Sequence, residues 1–85
     1  MSLEEDFDNA VRHSRQLRKR PSNEDLLKLY SFFKQATEGD VHGDEPGLFD
    51  FSARAKYEAW AEQEGMSAEE AMKAYISLVG DLEKK

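Results

Sequence analysis

Ser22-Asn23-Glu24-Asp25-Leu26-Leu27-Lys28-Leu29-Tyr30-Ser31-Phe32-Phe33-Lys34-Gln35-Ala36-Thr37-Glu38-Gly39 is the stretch whose reading decides the fold. It opens on serine, a residue type that caps helix N-termini, with Asp25 behind it, and it closes on glycine, a common helix stop. Between them Leu26, Leu29, Tyr30, Phe33, Ala36 and Thr37 fall on one helical face. The pattern predicts a helix over 23–38.

Working outward, Pro21 pushes the residue before it out of helical geometry and so separates this helix from an earlier one. Ser2 and Glu5 have the form of a capping box, and Leu3, Phe7, Ala10, Val11, Ser14 and Leu17 continue at helical spacing, predicting a helix over 3–18. Downstream, residues 39–50 hold Gly39, Gly43, Gly47 and Pro46, a long connection for a compact bundle, so the next helix can start at the far end of the molecule. Ala53, Tyr57, Trp60 and Ala61 predict a helix over 52–64, stopping at Gly65. Ser67 with Glu70 forms another capping box, and Ala68, Met72, Tyr75, Val79 and Leu82 predict a helix over 68–84. No strand-like alternation, internal repeat or low-complexity tract interrupts this order. The expected fold is all-α, a four-helix bundle in a single domain spanning 1–85, with up-down-down-up topology. Helices joined by short turns, the first with the second and the third with the fourth, are expected to be antiparallel neighbours.

Composition bounds the function. A domain of 85 residues buries only about 60% of the surface its unfolded chain exposes, so the core is modest. Nine aromatic residues nonetheless set the chain apart from disordered acidic sequences. Cysteine is absent, which excludes disulfides, thiolate metal sites and a cysteine nucleophile. The segment Met1-Ser2-Leu3-Glu4-Glu5-Asp6 is acidic where an export or transit signal is basic, and no apolar run approaches the roughly 18 residues of a membrane span. The cytoplasm is the expected compartment, without stable membrane insertion. Eighteen acidic against 12 basic residues give a net charge of -6, which disfavours a nucleic-acid duplex or a phospholipid surface as the main partner, and a monomer is expected.

Against that background, residues 9–23 contain no acid but hold Arg12, Arg15, Arg18, Lys19 and Arg20. Such a run is commonly a solvated face that complements a helix dipole; it also suits phosphate docking, and Arg15 is then the member placed to face a groove. In the second helix Tyr30, Phe33 and Lys34 put a phenol, an aromatic face and an ammonium on one strip. They read either as core aromatics beside a snorkelling lysine or as groups that hold a phosphate next to a flat heterocycle.

Tyr30-Ser31-Phe32-Phe33-Lys34-Gln35-Ala36-Thr37-Glu38-Gly39-Asp40 resembles the central motif of the acyl-CoA-binding protein family, Tyr-x-x-Tyr-Lys-Gln-Ala-Thr-x-Gly-Asp. Pro46-Gly47, Asp50-Phe51, Ala55-Lys56-Tyr57, Ala59-Trp60, Gly65 with Ser67, and Ala71-Met72 with Ala74-Tyr75-Ile76 are similar to its later blocks in the same order, while Phe7, Ala10, Leu17 and Pro21 fit upstream. The resemblance spans the chain. It implies a four-helix bundle that carries medium- to long-chain acyl-CoA thioesters, holding the nucleotide on its surface and the acyl chain in an apolar groove. It further implies that Tyr30, Lys34 and Lys56 hold phosphates with Arg15 assisting, that Phe33 lies against adenine, and that Tyr75 contacts the nucleotide. Val11, Leu26, Leu27 and Leu29 would border the acyl path.

Phe33 stands where the family usually has tyrosine, Tyr57 where it has tryptophan, and Arg15 and Arg20 where lysine is frequent. Loss of a hydroxyl at position 33 removes one hydrogen bond, typically about 1 kcal/mol.

Other chemistries are set aside. Asp40, His42, Asp44 and Glu45 match neither a calcium loop nor a zinc pattern. His13 and His42 lie in different regions and no serine sits in a nucleophile elbow, so neither a catalytic residue nor a cofactor is expected. Trp60 and Met72 are read as core residues. The alternative function is a helical interaction module that docks an acidic partner on the same basic edge.

Overall fold

The computed structural model describes residues 2–85, which form four α-helices: α1 (Leu3–Ser14), α2 (Asn23–Glu38), α3 (Phe51–Ala61) and α4 (Ala68–Glu83). Ser2 and Ser67 make the full capping boxes with Glu5 and Glu70, and the Ser22 hydroxyl accepts the Asp25 N–H at 3.1 Å. The Asp50 carboxylate caps α3 by accepting the Ala53 N–H at 3.3 Å.

Four boundaries, in three of the helices, differ from the sequence expectation. Helix α1 ends at Ser14 rather than 18, because the Arg15 and Gln16 N–H groups turn to the carbonyls three residues back, at 3.2 and 3.0 Å, and the Ser14 hydroxyl donates to the Val11 carbonyl at 2.7 Å. Leu17 still packs against the core, but from the connection, so its place in the apolar rhythm needed no helix. Helix α3 starts one residue earlier, at Phe51, and ends at Ala61 rather than 64. Gln63 and Glu64 there make tighter bonds to Trp60 and Ala61, at 3.0 and 3.2 Å, before Gly65 turns the chain with φ +91°. Helix α4 stops at Glu83, one residue short of the expectation.

The packing order also differs. The expected antiparallel pairs α1–α2 and α3–α4 are not the helices whose backbones lie against each other; the packed sequence is α1–α4–α2–α3. Cross-links fix the directions. Phe7 meets Tyr75 and His13 meets Glu83, so α1 and α4 run the same way. Gln35, near the end of α2, donates to the Met66 carbonyl just before α4, so that pair is antiparallel. Tyr30 meets Lys56 and Ser31 meets Gln63, so α2 and α3 run the same way. The result is up-down-down-up, and residues 39–50 are the crossover that a parallel α2–α3 pair requires.

The central core joins α1, α2 and α4 through Phe7, Ala10, Leu29, Ala36, Ala71, Tyr75, Val79 and Leu82. Helix α4 sits in the middle of this core, and its fully buried Ala71 offers only a methyl, which permits close approach of its neighbours. Helices α1 and α2 touch through long side chains instead, with the Phe7 and Phe33 rings stacked at 6.0 Å and Tyr75 edge-on to Phe7 at 5.2 Å. Met72 packs against this core, whereas Trp60 is buried apart from it, under the crossover.

Candidate functional site

Helix α2 presents two faces to two different partners, and a hollow lies on each side of it. The first, about 250 Å³, is lined by Val11, Ser14 and Arg15 from the end of α1, by Leu26, Leu29, Tyr30 and Phe33 from α2, and by Tyr75 from α4. The second, a cleft of about 440 Å³ between the N-terminal halves of α2 and α3, is lined by Leu26, Leu27 and Tyr30, by Ala55 and Lys56, and at its end by Arg20, Asn23 and Ser52. Leu26 and Tyr30 belong to both. They form a shared wall between an aromatic hollow with Arg15 as its one cation and a cleft that is apolar beside Leu26, Leu27 and Ala55 and carries Lys56 and Arg20.

The side chains are held by packing that the local sequence explains. Tyr75 is buried, and its hydroxyl donates to Ser14 Oγ at 3.0 Å while Ser14 donates onward to the Val11 carbonyl, so the phenol edge at the hollow is fixed from behind. Phe33 is half-buried between Phe7 and Tyr75, which holds one ring surface and leaves the other to the hollow. The Lys56 ammonium stands 5.6 Å from the Tyr30 ring centroid, bridging α3 to α2 as a cation–π contact. Arg15 is the C-cap of α1 and is exposed, so its guanidinium is free to sweep the rim.

Lys34 stands apart. Its ammonium lies 4.8 Å from the Trp60 ring centroid, bonds to the Glu38 carboxylate one turn on, and lines neither hollow. The Lys34 bond and charge, with His42 3.5 Å away, hold the Glu38 carboxyl below its ordinary range. Beneath this group, Gln35 is buried and donates to Asp40 Oδ1 at 2.8 Å and to the Met66 carbonyl at 2.9 Å. Asp40 Oδ1 also accepts the Gly65 N–H at 2.8 Å, and these two donors, the backbone one first, depress its carboxyl. The Trp60 indole donates to the Gly39 carbonyl at 2.8 Å and takes the His42 ring edge-on at 5.1 Å. The polar residues of the central motif thus include structural ties as well as candidate ligands.

Of the six side chains picked out for the nucleotide, Arg15, Tyr30, Phe33 and Tyr75 share the first hollow, Lys56 joins them across Tyr30, and Lys34 lies a turn beyond. The four expected acyl-path residues divide: Val11 and Leu29 line the first hollow, Leu27 the second, and Leu26 both. Sequence reading passed over Ser14, Asn23, Ser52 and Ala55. Ser14 was visible only as a small residue on the α1 stripe, and Ala55 only as part of the Ala55-Lys56-Tyr57 block. Among the described residues no group of three or more His, Asp or Glu is placed to hold a metal ion. His42 and Asp40 of the crossover are engaged with Trp60 and Gly65 instead.

Comparison with known proteins adds a family to this geometry. Residues 4–79 match the family model described as acyl CoA binding protein. The acyl-CoA-binding protein homolog of Manduca sexta is 48% identical over 83 residues, covering 96% of this chain and 92% of its own. Acyl-CoA-binding protein homolog 1 of Caenorhabditis elegans is 47% identical over 76 residues, covering 89% and 88%. The crystal structure of Oryza sativa acyl-CoA-binding protein 2 superposes with a TM-score of 0.93 at 42% identity, covering 98% of this chain and 92% of its own.

Proposed function

The chain belongs to the acyl-CoA-binding protein family, and on that premise we propose that it is a cytoplasmic, monomeric carrier and buffer of medium- to long-chain acyl-CoA thioesters, which it binds without transforming them. The observation that carries the reading is the shared wall of Leu26 and Tyr30, with an aromatic hollow and Arg15 on one face, an apolar run of Leu27 and Ala55 on the other, and Lys56 over the Tyr30 ring between them. An amphiphile with a polyphosphate head and an alkyl tail matches that division.

In this reading the CoA nucleotide occupies the α1–α2–α4 hollow. Phe33 offers its free ring surface to the adenine, Tyr75 borders the nucleotide, and Arg15 reaches the phosphates with a fork suited to two oxygens. The Tyr30 hydroxyl and Lys56 meet the phosphates at the wall, chiefly the ribose 3′-phosphate. Lys34 joins them by rotating its flexible stem away from Glu38, exchanging one carboxylate oxygen for a phosphate oxygen. With a net charge of -6 the protein as a whole repels such a ligand, so these few cations must act at close range.

The acyl chain turns past Leu26 into the cleft beside Leu27 and Ala55, with Val11 and Leu29 bordering the turn. Burial contributes roughly 0.8 kcal/mol per methylene, so about ten sheltered methylenes add on the order of 8 kcal/mol before ordering costs. Chain length therefore controls affinity. Binding needs no nucleophile or cofactor, and the family is one of binding proteins. The interaction-module alternative has no comparable support.

Calorimetric titration with palmitoyl-CoA, free CoA and palmitate tests the proposal. Palmitoyl-CoA is expected to bind far more tightly than either fragment; equal weak binding of all three would sink it.

A further inference from the structure

Leu48, Phe49 and Phe51 are 72%, 88% and 73% exposed, and they are the exposed large apolar side chains among the described residues. They lie together where the crossover runs into α3. The Asp50 N–H donates to the Gly47 carbonyl at 3.1 Å, which makes residues 47–50 a closed turn with Leu48 and Phe49 at its two central positions. Turn centres are ordinarily filled by glycine, asparagine, aspartate or proline. The backbone thus gives no reason for a leucine and a phenylalanine there, and neither side chain lines either hollow.

The surroundings indicate an occupant. Ser52, next to Phe51, closes the end of the α2–α3 cleft together with Arg20 and Asn23. Arg20 ends the acid-free basic stretch that includes Arg18 and Lys19. Two of the nearby acids are placed away from the tip: the Asp50 carboxylate folds back onto the Ala53 N–H, and Glu45 borders a separate hollow with Arg54 and Tyr57 on another side of α3. A protruding apolar tip next to basic residues is the paired signal that holds peripheral proteins on anionic bilayers, and it needs no preformed hollow on its partner.

We infer that Leu48, Phe49 and Phe51 form a prong that docks the protein on an anionic lipid bilayer, with the apolar tips entering the interface and Arg18, Lys19 and Arg20 meeting the headgroups. The cleft end at Ser52 then faces the leaflet. This rests on the carrier reading only for its purpose, which is uptake of a cargo whose alkyl tail partitions into membranes. Docking itself requires no cargo.

Co-sedimentation of the unliganded protein with vesicles of phosphatidylcholine alone, and of phosphatidylcholine mixed with phosphatidylserine, tests the inference against the double variant Leu48→Ser/Phe49→Ser. The wild-type chain is expected to associate with the mixed vesicles, less with phosphatidylcholine alone and less at high salt. The variant is expected to lose on the order of tenfold or more of that association while binding octanoyl-CoA in vesicle-free titration as the wild type does. Equal vesicle association of variant and wild type would overturn the inference, as would a wild type that ignores both vesicle types. A concentration-dependent dimer that dissolves in the variant, without vesicle association, would assign the prong to self-association and overturn it too. Vesicle association by a protein that binds no acyl-CoA would support the prong and refute the carrier reading.

Discussion

The α1–α4–α2 core and the α3–crossover half are built on different principles. The core buries side chains from three helices around Ala71, Tyr75 and Val79. Helix α3 packs only on α2, and its one buried side chain is Trp60. What holds that second half is a set of specific ties: the indole bonded to the Gly39 carbonyl, Lys34 and His42 on the ring, and Asp40 shared between Gln35 and Gly65. The lesson is that the rigid half fixes one wall of the site, while the other wall depends on a few replaceable contacts and is free to adjust to a ligand.

The largest expected effect comes from removing the anchor of the weaker half. Trp60→Ala is expected to cost about 3–5 kcal/mol by denaturant titration. Hydrogen exchange should show the loss concentrated in residues 39–61, and equal loss of protection across α1 and α4 would break the two-halves comparison. Next, Lys34→Ala is expected to weaken palmitoyl-CoA binding tenfold or more, since a charged hydrogen bond contributes about 1.5–3 kcal/mol. The same variant should lose no more than about 1 kcal/mol of stability, the range of an exposed cation–π contact or helix ion pair. A larger stability loss with unchanged binding would reassign Lys34 to the anchoring set.

A smaller effect is expected from Phe33→Tyr. The ring stays between Phe7 and Tyr75, so a restored hydroxyl should change acyl-CoA affinity by about 1 kcal/mol with little change in melting temperature. A strong destabilisation would show that the hydroxyl has nowhere to emerge. The subtlest test concerns pH. The Asp40 carboxyl is depressed in the folded chain, so its stabilising contribution is present above the ordinary aspartate value of about 3.9 and is lost as pH falls through the lower folded value. Asp40→Asn should flatten the acid limb of the melting curve below about pH 4 and leave the limb near neutrality parallel to wild type.

Much of the fold was legible because local signals agreed. In α2 the Ser22 cap, the apolar stripe and Gly39 all mark the same ends, and the helix spans 23–38 as expected. The end of α1 was not legible because Leu17 keeps the helical rhythm while packing from a non-helical connection. Packing order was hidden for another reason: a short link limits distance but does not force contact, and residues 15–22 are long enough to step past α4. For the site, the motif gathered Tyr30, Phe33 and Lys34 correctly onto one helix. It did not reveal that Lys34 turns to Trp60, 26 positions away, because that depends on how the crossover seats α3.

The position of α4 between α1 and α2 has a consequence for how the chain is made. During synthesis α1 and α2 leave the ribosome well before α4, yet their backbones pack on α4 and not on each other. Until α4 emerges, the Phe7 and Phe33 rings have only one another, and the two early helices remain an open, cohesive pair without a shared core. The protein is therefore expected to acquire its fold in one late step, after translation has passed Leu82, with little stable structure on the nascent chain before then.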